Sequence, residues 1–208
     1  MDALGAVLAI AGAIAVGAMS PGPSFLMVAR TAIAASRADG LAAALGMGVG
    51  GVFFACLALG GLHVVLVAVP WLYGVLKIAG GGYLVLIGWM IWRGARRPVE
   101  MNGVAEHPPG TVMRSFWLGL ATQASNPKAA VVYASVFVSL LPPEIPLWVT
   151  LGLPVVIFAI EAGWYTIVAL ALSAPSPRGA YLRWKLWIDR AAGAVMAALG
   201  LRLIFSVR

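Results

Sequence analysis

Glu161 is the residue whose chemistry stands out. It lies inside Ile157-Phe158-Ala159-Ile160-Glu161-Ala162-Gly163-Trp164-Tyr165, a stretch otherwise free of charge. A charge at the centre of a membrane costs about 3 kcal/mol or more, so this carboxyl must face a cavity or a partner. A carboxyl so placed suits reversible proton binding or the holding of a cation, and Lys128 is a candidate counter-charge. Two polar clusters also interrupt apolar runs: Ser20-Pro21-Gly22-Pro23-Ser24 in the first half, and Ser125-Asn126-Pro127-Lys128, with Gln123 just before it, in the second. Pro21, Pro23 and Pro127 fix φ and remove backbone donors, so a helix breaks there, and Gly22 adds freedom between the first two. A break leaves N–H and C=O groups that hydrocarbon cannot pair, so it survives only against protein, water or a ligand. The helix that restarts at Ser24 presents backbone donors and a positive dipole end. Ser20 and Ser24 add hydroxyls, Asn126 both a donor and an acceptor, and Lys128 a positive charge. The competing explanation is plain helix kinking with local caps, and for Glu161 a structural ion pair or hydrogen bond to a neighbouring helix.

The elements that carry these residues are read from composition and hydropathy. Of the 208 residues, 62% are hydrophobic and 10% charged. Soluble domains carry about 25% charged residues, so the fold class expected is an all-α integral membrane protein. The net charge of +7 fits Lys and Arg gathered in cytoplasmic loops better than a nucleic-acid partner. The single Cys56 allows no disulfide within the chain, and His63 and His107 have no partners at ligand spacing, so no metal or other cofactor is expected. The apolar start resembles a signal peptide but carries Asp2 and no Lys or Arg ahead of it, so it reads as a retained first span.

Six transmembrane helices are expected. The first runs from Leu4, breaks at the prolines and resumes at Phe25, followed by a loop at Ser36-Arg37-Ala38-Asp39-Gly40 in which Asp39 pairs with Arg37. The second covers Leu41 to Val69 and holds a Gly46/Gly50 pair, the third Trp71 to Trp92 with Gly80-Gly81-Gly82 near its middle. Small residues of this kind let membrane helices approach closely and also allow a homodimer. A polar loop of about residues 93–111 follows. The fourth span, Val112 to Leu141, breaks at Asn126-Pro127; a stiff turn at Pro142-Pro143-Glu144 leads to the fifth, Leu147 to Leu172, with Pro154 as a kink. A basic loop from Ala174 to Lys185 leads to the sixth, Trp187 to Phe205.

Arg37, then Arg93, Arg96 and Arg97, then Arg178, Arg183 and Lys185 all fall on one side, which makes that side cytoplasmic and puts both termini outside. The two halves also correspond. Each opens with a proline-broken span, Ala18-Met19-Ser20-Pro21 against Ala124-Ser125-Asn126-Pro127, and closes with a glycine-centred one, Gly80, Gly81 and Gly88 against Gly193 and Gly200. Three spans per half is odd, so the halves form two inverted three-helix repeats within one domain, about 1–92 and 112–208. Inverted repeats with helices interrupted at matching positions indicate a secondary transporter whose site lies where the broken helices meet.

Ser20-Pro21-Gly22-Pro23-Ser24-Phe25-Leu26, then Arg30, then Gly40-Leu41-Ala42-Ala43-Ala44-Leu45-Gly46 resembles the N-terminal signature of the LysE/RhtB family of amino-acid exporters. Asn126-Pro127-Lys128-Ala129 resembles that family's second motif, and the stretches from Gly80 to Gly88 and Gly193 to Gly200 its third and sixth spans. Two positions depart from the pattern: Ser24 stands where Asn is usual, and Glu161 where an acidic residue of the fifth span is commonly Asp. The resemblance implies export of amino acids or related small metabolites across the bacterial cytoplasmic membrane, driven by the proton gradient. An amino acid needs donors for its carboxylate and acceptors for its ammonium. The substrate-binding residues expected on that basis are Ser20, Pro21, Gly22, Pro23, Ser24, Gln123, Asn126, Pro127, Lys128 and Glu161, with Glu161 also the candidate for proton coupling.

Rival classes fit less well. Gly22-Pro23-Ser24 is not a nucleophile elbow, no His lies deep enough to act as a base, and no acidic cluster suits a metal, which argues against a membrane enzyme. A channel, or an exporter of some other solute, is the alternative, although one Glu and one Lys make no charged ring without oligomerisation.

Overall fold

A computed structural model describes residues 2–20, 22–68, 70–96, 112–141, 145–173 and 175–205. Pro21, the polar stretch 97–111 with His107, and Pro142-Pro143-Glu144 lie outside the described residues, as do the side chains of His63, Trp71, Tyr73, Lys77 and Arg178. Among the described residues every regular element is helical: α1 (Ala3–Met19), α2 (Pro23–Ala34), α3 (Arg37–Ala68), α4 (Pro70–Gly94), α5 (Val112–Ala124), α6 (Pro127–Leu140), α7 (Leu147–Leu172) and α8 (Pro175–Phe205).

Local chemistry sets the helix ends. Asp2 caps α1 by accepting from the Gly5 amide at 3.1 Å. Pro23 and Pro127 occupy the first turn of α2 and α6, where a missing N–H costs nothing and the fixed φ suits a helix. The chain turns by 57° between α1 and α2.

Two expected loops are helix instead. The stretch from Ser36 to Gly40 is not a loop, because α3 begins at Arg37: the Ser36 hydroxyl accepts from the Asp39 amide at 3.0 Å, as an N-cap does. Asp39 does not pair with Arg37. Its carboxylate accepts from Ser36 and, across to α5, from Ser115 at 2.8 Å, and it is buried. Likewise the expected basic loop from Ala174 is helical from Pro175 onward, since proline in a first turn starts a helix rather than prevents one.

On α7 the outward face is as apolar as the inward one. On α7, Leu147, Leu151 and Val155 are exposed, while Val149, Leu153, Ile157, Glu161 and Tyr165 are buried. A water-facing helix would carry polar groups at the former positions. The stretch Arg37–Gly61 of α3 and the whole of α7 are each long and apolar enough to cross a membrane, and α1 with α2 passes the same criterion as one bent span.

Close approach through glycine ties the bundle together. A methyl group on Gly88 would stand 2.5 Å from the Gly193 carbonyl oxygen, and one on Gly200 would stand 2.5 Å from that of Gly81. This pairing runs α4 antiparallel to α8 with backbones in contact. Gly46 packs against the Phe116 carbonyl on α5. Of the glycines that allow close approach in the sequence, Gly46, Gly50 and Gly81 face other helices of the same chain, while Gly82 has nothing within 4 Å of an added methyl group. One apolar cluster joins α1, α3, α6 and α7 around Ile10, Ile14, Phe54, Phe137 and Ile157, and a second joins α2, α3 and α7 around Phe25, Val28, Met47 and Ala169. The two breaks and Glu161 meet between them.

Candidate functional site

A small cavity, partly open to solvent, lies where α1, α2, α5, α6 and α7 converge. Ser20, Gly22, Ser24, Gln123, Asn126, Lys128 and Glu161 line it. Of the expected site residues, Pro23 and Pro127 are not among its walls; they start the helices that bring the others in. Pro21 lies outside the described residues.

The polar groups form a chain with a fixed direction. Backbone amides can only donate, and those of Lys128 and Ala129 donate to Asn126 Oδ1 at 3.0 and 3.4 Å. The other end of the Asn126 amide is therefore its donor, and Nδ2 gives a hydrogen to Ser24 Oγ at 2.8 Å. Ser24, having accepted, donates its own hydrogen to Gln123 Oε1 at 2.7 Å. Gln123 Nε2 then donates to Glu161 Oε1 at 3.1 Å. Tyr133 donates to the same oxygen at 3.0 Å. The second carboxylate oxygen, Oε2, is buried and has no hydrogen-bond partner among the described residues. A buried polar atom so left carries a desolvation penalty unless something else binds it.

Lys128 is engaged elsewhere. Its Nζ donates to the carbonyls of Ser20 at 3.0 Å and Gly17 at 3.3 Å. These groups are left over at the end of α1, where a cation is favoured by the helix dipole. Among the described residues the one direct ion pair is Lys185–Asp189 on α8, so Lys128 and Glu161 face the same cavity without touching. The breaks are therefore unequally completed. Asn126 caps α6 and Lys128 completes the end of α1, whereas no side chain caps α2, whose first turn lines the cavity.

Gly51 makes the Glu161 position possible. A methyl group there would stand 2.9 Å from Glu161 Cγ and 2.9 Å from the Tyr133 hydroxyl. Tyr133 and Tyr165 also line the cavity, and sequence reasoning missed both. Tyr165 follows Glu161 by four residues, which puts the two on one helix face. Spacing alone carried that signal. For Tyr133 no signal was available before α6 and α7 were brought together.

A sequence profile described as LysE type translocator matches residues 15–207. The chain belongs to the LysE family. Threonine efflux protein of Salmonella typhi is 35% identical to it over 192 residues, covering 92% of this chain and 93% of that protein. The threonine efflux protein of Escherichia coli strain K12 is 34% identical over 195 residues, with coverage of 92% and 93%. A leucine efflux protein of Enterobacter sp. strain 638 is 29% identical over 122 residues, 58% of this chain and 56% of that one. No solved structure matches the chain significantly. The LysE-type assignment and the apolar exterior together make this a multi-pass membrane protein.

Proposed function

We propose that this LysE-type translocator exports amino acids or closely related small metabolites across the bacterial cytoplasmic membrane. The observation that carries the reading is the unpartnered Glu161 Oε2, which lines the same cavity as the uncapped first turn of α2. The carboxylate oxygen suits a substrate ammonium group. The helix N-terminus beside Gly22 and Ser24 suits a carboxylate, as interrupted membrane helices do for anionic groups. Ser20, Gln123 and Lys128 complete the polar wall. Relatives named for threonine and leucine efflux support the same substrate class.

The architecture that goes with this function is six spans, counted as α1 with α2, α3, α4, α5 with α6, α7, and α8, arranged as two inverted repeats in one domain with both termini outside. It is supported by the matching Pro23 and Pro127 breaks and by the reciprocal contacts of Gly81 with Gly200 and Gly88 with Gly193. Coupling to the proton gradient uses Glu161, whose Oε2 takes either a proton or the substrate ammonium.

The test is counterflow in proteoliposomes with a panel of labelled amino acids, threonine and leucine among them, with and without an inward-acid gradient. Saturable exchange of one or a few substrates, accelerated by the gradient, is the expected result. Flux that neither saturates nor exchanges would identify a channel instead, and no movement by folded protein would point to another solute.

A further inference from the structure

We propose that Asn126 is the positioning residue for Glu161, and that it acts through Ser24 and Gln123. The inference rests on the export reading above and goes beyond it by giving Asn126 a role at Glu161. Each end of its amide makes a hydrogen bond: Oδ1 accepts from the amides of Lys128 and Ala129, and one Nδ2 hydrogen goes to Ser24. The start of α6 therefore makes Asn126 the donor to Ser24, which leaves the one Ser24 hydrogen for Gln123 Oε1 and Gln123 Nε2 for Glu161. An acceptor at position 126 would compete for that hydrogen, and a Gln123 amide turned to suit would set its carbonyl oxygen against the carboxylate, two acceptors in contact. In the observed sense Oε1 is held by Gln123 and Tyr133, and Oε2 alone is left for a transported cationic group. The chain also bridges the two halves: Ser24 belongs to α2 after the first break, and Asn126 lies in the second, 102 residues along the sequence. The helix break of one half thus orients the binding carboxylate through a residue of the other.

Asn126→Asp separates this role from capping. Aspartate caps helices as well as asparagine does, but it cannot donate to Ser24. The expected result in counterflow is a KM raised on the order of tenfold or more, the effect of misdirecting a hydrogen bond to a charged group, with kcat changed far less and the thermal unfolding temperature close to wild type. Ser24→Ala cuts the chain at its next link and is expected to raise KM similarly. Because both changes interrupt one chain, the double variant is expected to lose little more than either single variant. An Asn126→Asp protein that exchanges substrate with wild-type KM overturns the proposal, as do losses that multiply in the double variant. If Asn126→Asp does not fold, Ser24→Ala decides alone, with an unchanged KM counting against the relay. Failure of the export reading looks different, since wild-type protein itself would then move no amino acid.

Discussion

At Glu161 one carboxylate oxygen is fully occupied and the other is bare. Oε1 takes hydrogens from Gln123 and Tyr133, while Oε2 is buried without a partner. That division lets one side chain be rigidly held and still bind. Glu161→Gln keeps the volume and an oxygen for the Oε1 position, but puts an NH₂ group where a cation would sit. Amino-acid counterflow in this variant is expected to fall on the order of tenfold or more, the effect of losing a charge-assisted contact. Full retention of gradient-driven transport in Glu161→Gln would rule out Glu161 as the proton carrier. Lys128 shows what residue type alone leaves open. A lysine in an apolar run suggests an ion pair with Glu161, yet its ammonium, while lining the cavity, donates to the carbonyls of Gly17 and Ser20.

At the scale of elements, three of the four helix ends at the breaks are accounted for unequally: the end of α1 and the start of α6 by side chains, the start of α2 by none. Asn126 serves α6 directly, and Lys128 from the second half serves the end of α1 in the first. The α4 and α8 pair depends on a different device, since apolar burial gives helices in lipid little reason to associate and close backbone packing must replace it. A side chain at Gly193 would meet the Gly88 carbonyl oxygen at 2.6 Å, a backbone atom that cannot turn aside. Gly193→Val is therefore expected to destabilise by about 1–3 kcal/mol, as overpacking does, and to lower the thermal unfolding temperature in detergent. Gly82 has nothing within 4 Å of an added methyl group, so Gly82→Val serves as the reference. Equal unfolding temperatures for the two variants would mean that the α4–α8 contact does not hold the bundle.

At the scale of the whole molecule, helices from the first part of the chain pack against helices from the last. α3 runs against α7, with Gly48 beside Ala162 and Gly51 beside Glu161, as α4 runs against α8. In the inverted arrangement proposed above, the two broken helices would stand on opposite sides of one cavity, and moving one half against the other would expose the site alternately. In that arrangement the distribution of Arg and Lys orients the molecule. A reporter active only outside the cytoplasm, fused after Arg208, is expected to be active, because Arg37, Arg93, Arg96, Arg183 and Lys185 share the cytoplasmic side in this arrangement. A cytoplasmic reading would reverse the orientation or change the number of spans.

The sequence by itself determined which residues are polar inside apolar runs, and so named Ser20, Ser24, Gln123, Asn126, Lys128 and Glu161 as neighbours of one cavity. It also located both helix breaks, because proline and the cost of unpaired backbone in lipid act within a few residues. Short-range misreadings had short-range causes: Ser36 and Pro175 start helices where polar composition reads as loop. The tertiary structure alone decided what each polar group binds. Hydrogen bonds are directional over about 3 Å, and the partners here are separated by 99 residues between Ser24 and Gln123 and by 38 between Gln123 and Glu161. Only the folded chain fixes the direction of that relay, sends Lys128 to backbone carbonyls, brings Tyr133 to Glu161, and leaves one carboxylate oxygen free.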